Sequence, residues 1–374
     1  MPLRALARVN LAAIERNVAR LQRDLQGAAL CAVVKADGYG HGAVPVARAA
    51  VQAGAGWLAV ATVDEATQLR EAGISTRLLI MGAISADELQ AALRTGADLI
   101  AWSGRFVTDV AAQVGTGAPA RLHVKFDTGL GRLGTRELGE ALSVAHEVIG
   151  CGPATTLAGA MTHFATADDD PEFMAAQLER FAPFAAQMRE LAGDVVVHAA
   201  NSAATLTEPA AQFDMVRCGI AIYGCDPMNE DPDDHGLEPA LELCSYLAAL
   251  KPAAPGDSAG YGRRFIAREP TCIGTVPVGY ADGIRRALSN NCDVLVRGGR
   301  YPLVGTVSMD NLTVDVGASP SAAVGDVVTI IGRDGGERQT AEQVARRIET
   351  ISYEVLCGIS GRVPRVYHRD GRAA

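Results

Sequence analysis

Lys35 stands at the end of the apolar run 28–34 (AALCAVV) and opens the stretch Lys35-Ala36-Asp37-Gly38-Tyr39-Gly40-His41. A run of that length suits a buried parallel strand. An ammonium at such a strand end is costly to bury without a partner. A desolvated lysine loses basicity and can form a Schiff base with a carbonyl. Position alone fits equally well a lysine whose stem is buried and whose head reaches water. Gly38 and Gly40 would turn the backbone out of the strand. Other polar groups fall at or just past later apolar runs: Lys125 and Asp127 with Arg132 beyond, Thr162-His163, His198 with Asn201-Ser202, and Arg217 with Gly219-Ile220. Taken singly, His163 or His198 also reads as a hydrogen-bonded core histidine, and Arg132 as loop charge. Asn201-Ser202 and Gly219-Ile220 offer a hydroxyl and backbone N–H groups suited to phosphate. A phosphate-bearing ligand beside a Schiff-base lysine implies pyridoxal phosphate.

These residues need a frame that brings them together. Asn10 is a good N-cap for an amphipathic helix over 11–25. Apolar runs at 28–34, 57–63, 77–82, 98–102, 122–127, 157–164, 195–201 and 215–224 read as strands. Helical patterns lie between them, as at 63–72, 87–95, 136–148 and 172–191. This α/β alternation predicts an N-terminal (β/α)8 TIM-type barrel over residues 1–235. In that fold the C-terminal strand ends share one mouth, which would gather the polar groups above. An open doubly wound sheet is the nearest rival, but no Gly-x-Gly-x-x-Gly opens the first helix.

From residue 236 the pattern changes. The segment 231–236 (DPDDHG) reads as an exposed linker. Strands are expected at 241–250, 272–278, 294–296, 303–307, 312–316 and 327–331, with one helix at 341–349 capped by Thr340. Residues 236–374 are therefore expected to form a mainly antiparallel β domain. Its motifs Gly260-Tyr261-Gly262, Gly279-Tyr280-Ala281-Asp282-Gly283, Ser308-Met309-Asp310 and Tyr353-Glu354 fit turn glycines beside amphipathic tyrosines, or a second functional surface.

Composition excludes several classes of function. The 374 residues carry a net charge of −9 with no long single-sign run, which argues against a nucleic-acid surface. Eight cysteines show neither a C-x-x-C pair nor zinc spacing, so no metal site is expected and a reducing compartment is. No apolar leader opens the chain, and no stretch approaches the roughly 18 apolar residues of a membrane span. The expectation is a soluble cytoplasmic protein that binds neither membrane nor nucleic acid.

Taken together, the motifs resemble the bacterial alanine racemases over essentially the whole chain. The matching stretches are 34–42, Lys125-Phe126-Asp127-Thr128-Gly129 with Arg132-Leu133-Gly134, Thr162-His163-Phe164, His198 with Asn201-Ser202, Arg217 with Gly219, Gly260-Tyr261-Gly262, 279–283, Met309-Asp310, and Arg362-Val363-Pro364-Arg365. The resemblance implies a homodimer that interconverts L- and D-alanine by two-base proton transfer at Cα, with pyridoxal phosphate on Lys35, supplying D-alanine for peptidoglycan. It implies Lys35 as base for one face and Tyr261, from the partner subunit, for the other, with His163 near that tyrosine. Arg217 would face the pyridine nitrogen, backed by His198. Tyr39, His163, Asn201, Ser202, Gly219, Ile220 and Tyr353 would join the cofactor site. Arg132 and Met309 would hold the substrate carboxylate, with Lys125, often carbamylated in the family, orienting Arg132. Tyr280 and Arg286 would line the entry corridor, and Asp310 would support it. Ser308, where many relatives carry Cys, and Gly361, where they carry a bulkier residue, depart from the pattern. Rival readings are a barrel-type pyridoxal phosphate decarboxylase, a racemase of broader small-amino-acid range, and a non-catalytic pyridoxal phosphate carrier.

Overall fold

Eight short runs of Val, Leu, Ile and Ala pair side by side, all parallel. We label them β1 (Ala29–Val33), β2 (Trp57–Val60), β3 (Arg77–Ile80), β4 (Asp98–Ala101), β5 (Ala120–Lys125), β6 (Thr155–Met161), β7 (Val196–His198) and β8 (Met215–Cys218). Each pairs with its successor from β1 to β7, and β8 returns to pair with β1, placing Cys31 beside both Trp57 and Arg217. Burial on both faces explains the near-continuous apolar sequences, since helices cover a parallel sheet outside and side chains fill it inside. The helices Ala43–Gln52, Val63–Glu71, Leu89–Arg94, Gly104–Val114, Leu138–Gly150, Pro171–Leu191 and Ser202–Thr207 follow strands β1 to β7 in turn. The TIM-type barrel expected from the alternation is what forms.

The seam between β7 and β8 is made differently. The Asp214 N–H donates to the Val197 carbonyl at 3.0 Å, while the Val197 N–H donates to the Asp214 carboxylate at 2.8 Å. The Arg217 N–H closes onto the Ala200 carbonyl at 3.0 Å. Two strand bounds differ from expectation here. The predicted strand 195–201 stops at His198, because Asn201 turns to cap Ser202–Thr207. The predicted strand 215–224 stops at Cys218, followed by a 3-10 turn over Ile220–Tyr223.

This computed structural model describes residues 3–115 and 117–374. It divides into a barrel unit (15–38 and 43–222) and a β unit (1–14, 39–42 and 223–374). Among the described residues of the β unit, eleven strands share one mainly antiparallel sheet. Leu241–Tyr246 pairs with Val327–Asp334, and Thr271–Val276 lies between Ala249–Ala253 and Leu312–Asp315. Leu6–Asn10 joins this sheet, antiparallel to Leu241–Tyr246 and parallel to Arg365–Arg369. Neither strand was read from the sequence: Leu6–Asn10 does alternate, with Ala7 and Val9 buried on either side of Arg8, but it is only five residues long, and Arg365–Arg369 is mostly polar. The expected helix near 341–349 forms over Ala341–Arg346, with Thr340 and Gln343 making a capping box. The segment 231–236 is exposed at Asp233, Asp234 and Gly236, as expected of a linker, but it is tied down. Pro232 is buried in a 3-10 turn, and both Asp231 and Asp233 are paired with Arg338.

Candidate active site

Beyond β1 the backbone does something a strand end rarely does. Ala36, Asp37, Gly38 and Tyr39 all take left-handed dihedrals, with φ between 51° and 61°. For non-glycine residues this conformation costs about 1–2 kcal/mol each, so it persists only where other contacts over-determine it. In the barrel unit those contacts are visible. The Gly38 N–H donates to the Val34 carbonyl at 2.9 Å, the Asp37 carboxylate accepts from the Ala43 N–H at 2.8 Å, and Glu65 accepts from the Ala36 N–H at 2.6 Å. The half-buried Lys35 heads this pinned turn.

Arg217 on β8 is the hub of the barrel mouth and is 2% exposed. Its terminal nitrogens donate to the Thr162 and Ala199 carbonyls at 3.0 and 2.9 Å and meet Nδ1 of His163 at 3.0 Å and Nδ1 of His198 at 2.8 Å. Burial lowers its pKa to about 10, so it stays charged at neutral pH. Burial and the neighbouring Arg217 charge hold both histidines well below the usual imidazole range, and for His163 the charges of Arg132, Lys125 and Lys35 add to this. Both are therefore neutral. A guanidinium only donates, so both Nδ1 atoms must be acceptors. Nε of Arg217 is buried and meets no hydrogen-bond acceptor. It is a charged donor in want of one, a poor arrangement unless a ligand atom supplies it.

Two strand ends complete the mouth. At the end of β5, burial and the charges of Arg132 and Arg217 draw Lys125 down to about 8. Asp127 accepts from the Gly129 N–H at 3.1 Å and the Gly131 N–H at 2.9 Å, which shapes the exposed loop bearing Arg132. After β7, Asn201 spends its side-chain oxygen on the Ala204 N–H, while the buried Ser202 Oγ accepts from the Gly219 N–H at 2.9 Å and the Ala221 N–H at 3.3 Å. The barrel unit thus brings together Lys35, Lys125, Arg132, His163, His198, Asn201, Ser202, Arg217, Gly219 and Ile220. Two polar residues deeper in the barrel behind this mouth, His123 and Asp98, went unread in the sequence. His123 Nδ1 lies 2.7 Å from His198 Nε2, and His123 Nε2 lies 3.0 Å from Asp98 Oδ2. The signal for His123 was present, since residues two apart on a strand share a face and His123 precedes Lys125 by two.

The β unit carries the remaining candidates. Tyr39 packs against Tyr223 and Tyr353, with ring centroids 4.9 and 6.0 Å away. Tyr261 tops a two-stranded ribbon, Ser258–Ala259 with Phe265–Ile266. Its flanking glycines take φ of 75° and 71°, and a side chain at Gly260 would lie 2.8 Å from the Thr306 nitrogen. The Thr306 hydroxyl donates to the Tyr261 carbonyl at 2.8 Å. A firmly held backbone thus presents a phenol that is 76% exposed. Met309 is also exposed, and its carbonyl accepts from the Ala281 N–H at 3.0 Å, strapping it to the turn of Tyr280. Burial alone would raise the pKa of Asp282 beneath that turn, but bonds from Arg4 and the Gly279 N–H lower it. Asp310 pairs with Arg362 at 2.7 Å, and Arg286 begins a short 3-10 turn.

A family model described as the alanine racemase N-terminal domain matches residues 9–227, and one for the C-terminal domain matches 240–367. The chain is 40% identical over 377 residues to the alanine racemase of Nostoc sp., covering 97% of this chain and 95% of that one. It is 42% identical over 372 residues to that of Symbiobacterium thermophilum, covering 96% of each. Among solved structures, the alanine racemase of Streptomyces coelicolor A3(2) aligns with a TM-score of 0.93 at 38% identity over 97% of both chains. The Bacillus anthracis alanine racemase, solved with bound L-Ala-P, gives 0.91 at 35% identity over 100% of this chain and 97% of that one.

Proposed function

Because this chain belongs to the alanine racemase family, we propose that it interconverts L-alanine and D-alanine with pyridoxal 5'-phosphate as cofactor, supplying D-alanine for peptidoglycan. The observation that carries the reading is the buried Nε–H of Arg217, which a neutral pyridine nitrogen would satisfy as acceptor. When bound, pyridoxal phosphate supplies an electron-accepting ring that makes the Cα proton of alanine removable.

Lys35 would anchor the cofactor, and its Nζ would take and return the proton on the face that serves D-alanine. Tyr261 would do the same for L-alanine on the opposite face, since one base cannot serve both sides of a flat carbon centre. Its exposure suits a phenol offered to a second copy of the chain, so the working unit is a homodimer. In this reading residues 1–235 bind the cofactor and residues 236–374 supply the second base. Arg217 donates and cannot accept, so a ring nitrogen facing it stays unprotonated, which holds back transamination and decarboxylation. Ser202, Gly219, Ile220 and Asn201 would serve the phosphate with Tyr39 and Tyr353, while His163 and His198 hold Arg217 in place. Arg132 and Met309 would hold the substrate carboxylate. Lys125, with a pKa of about 8, has a fraction of neutral amine at neutral pH, the form that reacts with carbon dioxide to give a carbamate able to orient Arg132. Tyr280, Arg286 and Asp310 would line and support the way in. No described helix is long and apolar enough to cross a membrane, and we place the enzyme in the cytoplasm.

The test is deuterium exchange from solvent into Cα of each alanine enantiomer. Exchange into both is expected, with Lys35→Ala abolishing it and Tyr261→Phe leaving it enantiomer-selective. Release of carbon dioxide from basic amino acids without exchange into alanine would overturn the reading in favour of a decarboxylase.

A further inference from the structure

Behind Arg217 and His198 the row of buried polar groups continues into two residues, His123 and Asp98, that the proposed reaction does not use. His198 and His123 have no solvent exposure and Asp98 has 1%. Donor logic gives the row a direction. Arg217 can only donate, so Nδ1 of His198 carries a lone pair, and the proton of this neutral ring sits on Nε2. That N–H faces Nδ1 of His123 at 2.7 Å, which must therefore accept. The proton of His123 then sits on Nε2, 3.0 Å from the Asp98 carboxylate. Asp98 stands at the start of β4, whereas Arg217 serves the opposite, C-terminal end of the barrel. Arg121 and Arg77 approach the same carboxylate at 2.9 and 3.4 Å.

The barrel is built to accommodate this row. A side chain at Gly159 on β6 would lie 2.0 Å from His123 Nδ1, so only glycine leaves room for the ring. The β5–β6 register shifts between Leu122 and His123. Trp57 meets the imidazole edge-on at 5.8 Å, and Arg77 lies over Trp57. A buried chain of this kind is costly unless every member is satisfied, and here each link has one.

We propose that Asp98 and His123 are positioning residues for Arg217, forming a one-way hydrogen-bond relay whose carboxylate end fixes the proton of His198 on Nε2 and so keeps its lone pair on the guanidinium. The relay's role toward the cofactor rests on the reading that Arg217 faces the pyridine nitrogen; its existence does not. Without an anionic end the row can reverse. An amide at position 98 can donate to His123, which would then donate to His198 and leave two donors opposed at Arg217.

The experiment is nitrogen-15 NMR of the full-length protein labelled at its seven histidines, with His198 assigned by substitution. The unaltered protein is expected to show Nε2–H at His198 and no titration of that ring between pH 6 and 9. Asp98→Asn is expected to give a mixture of His198 tautomers. It is also expected to lower kcat about tenfold, the lower end of what losing an outer hydrogen-bond partner costs, with KM within twofold, and to move the visible absorption of the bound cofactor. A proton on Nδ1 of His198 in the unaltered protein, or Asp98→Asn with unchanged His198 signals, would overturn the relay. That spectrum decides even if Asp98→Asn fails to fold. Absence of racemisation in the unaltered protein would refute the proposed function and leave the relay standing.

Discussion

Gly159→Ala separates two expectations of opposite sign. The backbone of Gly159 is not in the left-handed region, so alanine adopts it without strain and should gain about 0.4–1 kcal/mol by narrowing the unfolded ensemble. The new Cβ, however, would lie 2.0 Å from Nδ1 and 2.4 Å from Cγ of His123, where ordinary contact begins near 3.4 Å. The ring must move by more than an ångström, and it is boxed in by Trp57, His198 and Asp98. Overpacking costs about 1–3 kcal/mol, and the two displaced hydrogen bonds add about 1 kcal/mol each. A net loss of roughly 2–4 kcal/mol follows, and with about 2–4 °C per kcal/mol for a unit this size, Tm should fall by roughly 4–16 °C. Thermal and urea unfolding measure it. Gly139→Ala is the control, since nothing lies within 4 Å of a side chain there and its helix should tighten. If Gly159→Ala matches that control or stabilises, His123 is not packed as described and the relay loses its frame.

The two remaining predictions concern pH. Lys125 titrates near 8 when folded and near 10.5 when unfolded, so between these values the unfolded chain holds the extra proton and stability rises with pH. The urea midpoint of the unaltered protein, less that of Lys125→Met, should therefore climb from pH 8 to 10.5, and a flat difference would refute the lowered ammonium. Burial lifts the thiols of Cys218, to about 12, and of Cys244 and Cys292, to about 11, above the unfolded value of 9.0. Their stabilisation is complete below pH 9 and lost as pH rises toward 11–12, a descent that Cys218→Ala should make shallower in the same urea series.

Much of the architecture was legible because most barrel strands are apolar over most of their length and alternate with helices of period 3.6. The polar strand ends were legible for the same reason: Lys35, Lys125, His163, His198 and Arg217 stand out against such runs. What stayed hidden depends on distance along the chain. Leu6–Asn10 and Arg365–Arg369 become strands only by pairing with each other and with Leu241–Tyr246. The left-handed turn at Ala36, Asp37 and Tyr39 runs against local preference, so no propensity announces it. Asp98 was read as the start of an apolar strand, which it is. Its partnership with His123, 25 residues on, needs the two strands to be neighbours first.

The meeting of β7 and β8 has a consequence for how this barrel comes apart. Seven of its joints are ladders of backbone amides, but the eighth has only two backbone bonds, supplemented by a carboxylate clasp at Asp214, which Arg189 also grips. A cask opens first at its weakest stave, and local opening should begin here. Ser202 and Gly219 stand one on each side of that joint. An anion bound by both would act as a hoop, so the ligand that completes the site would also hold the wood together.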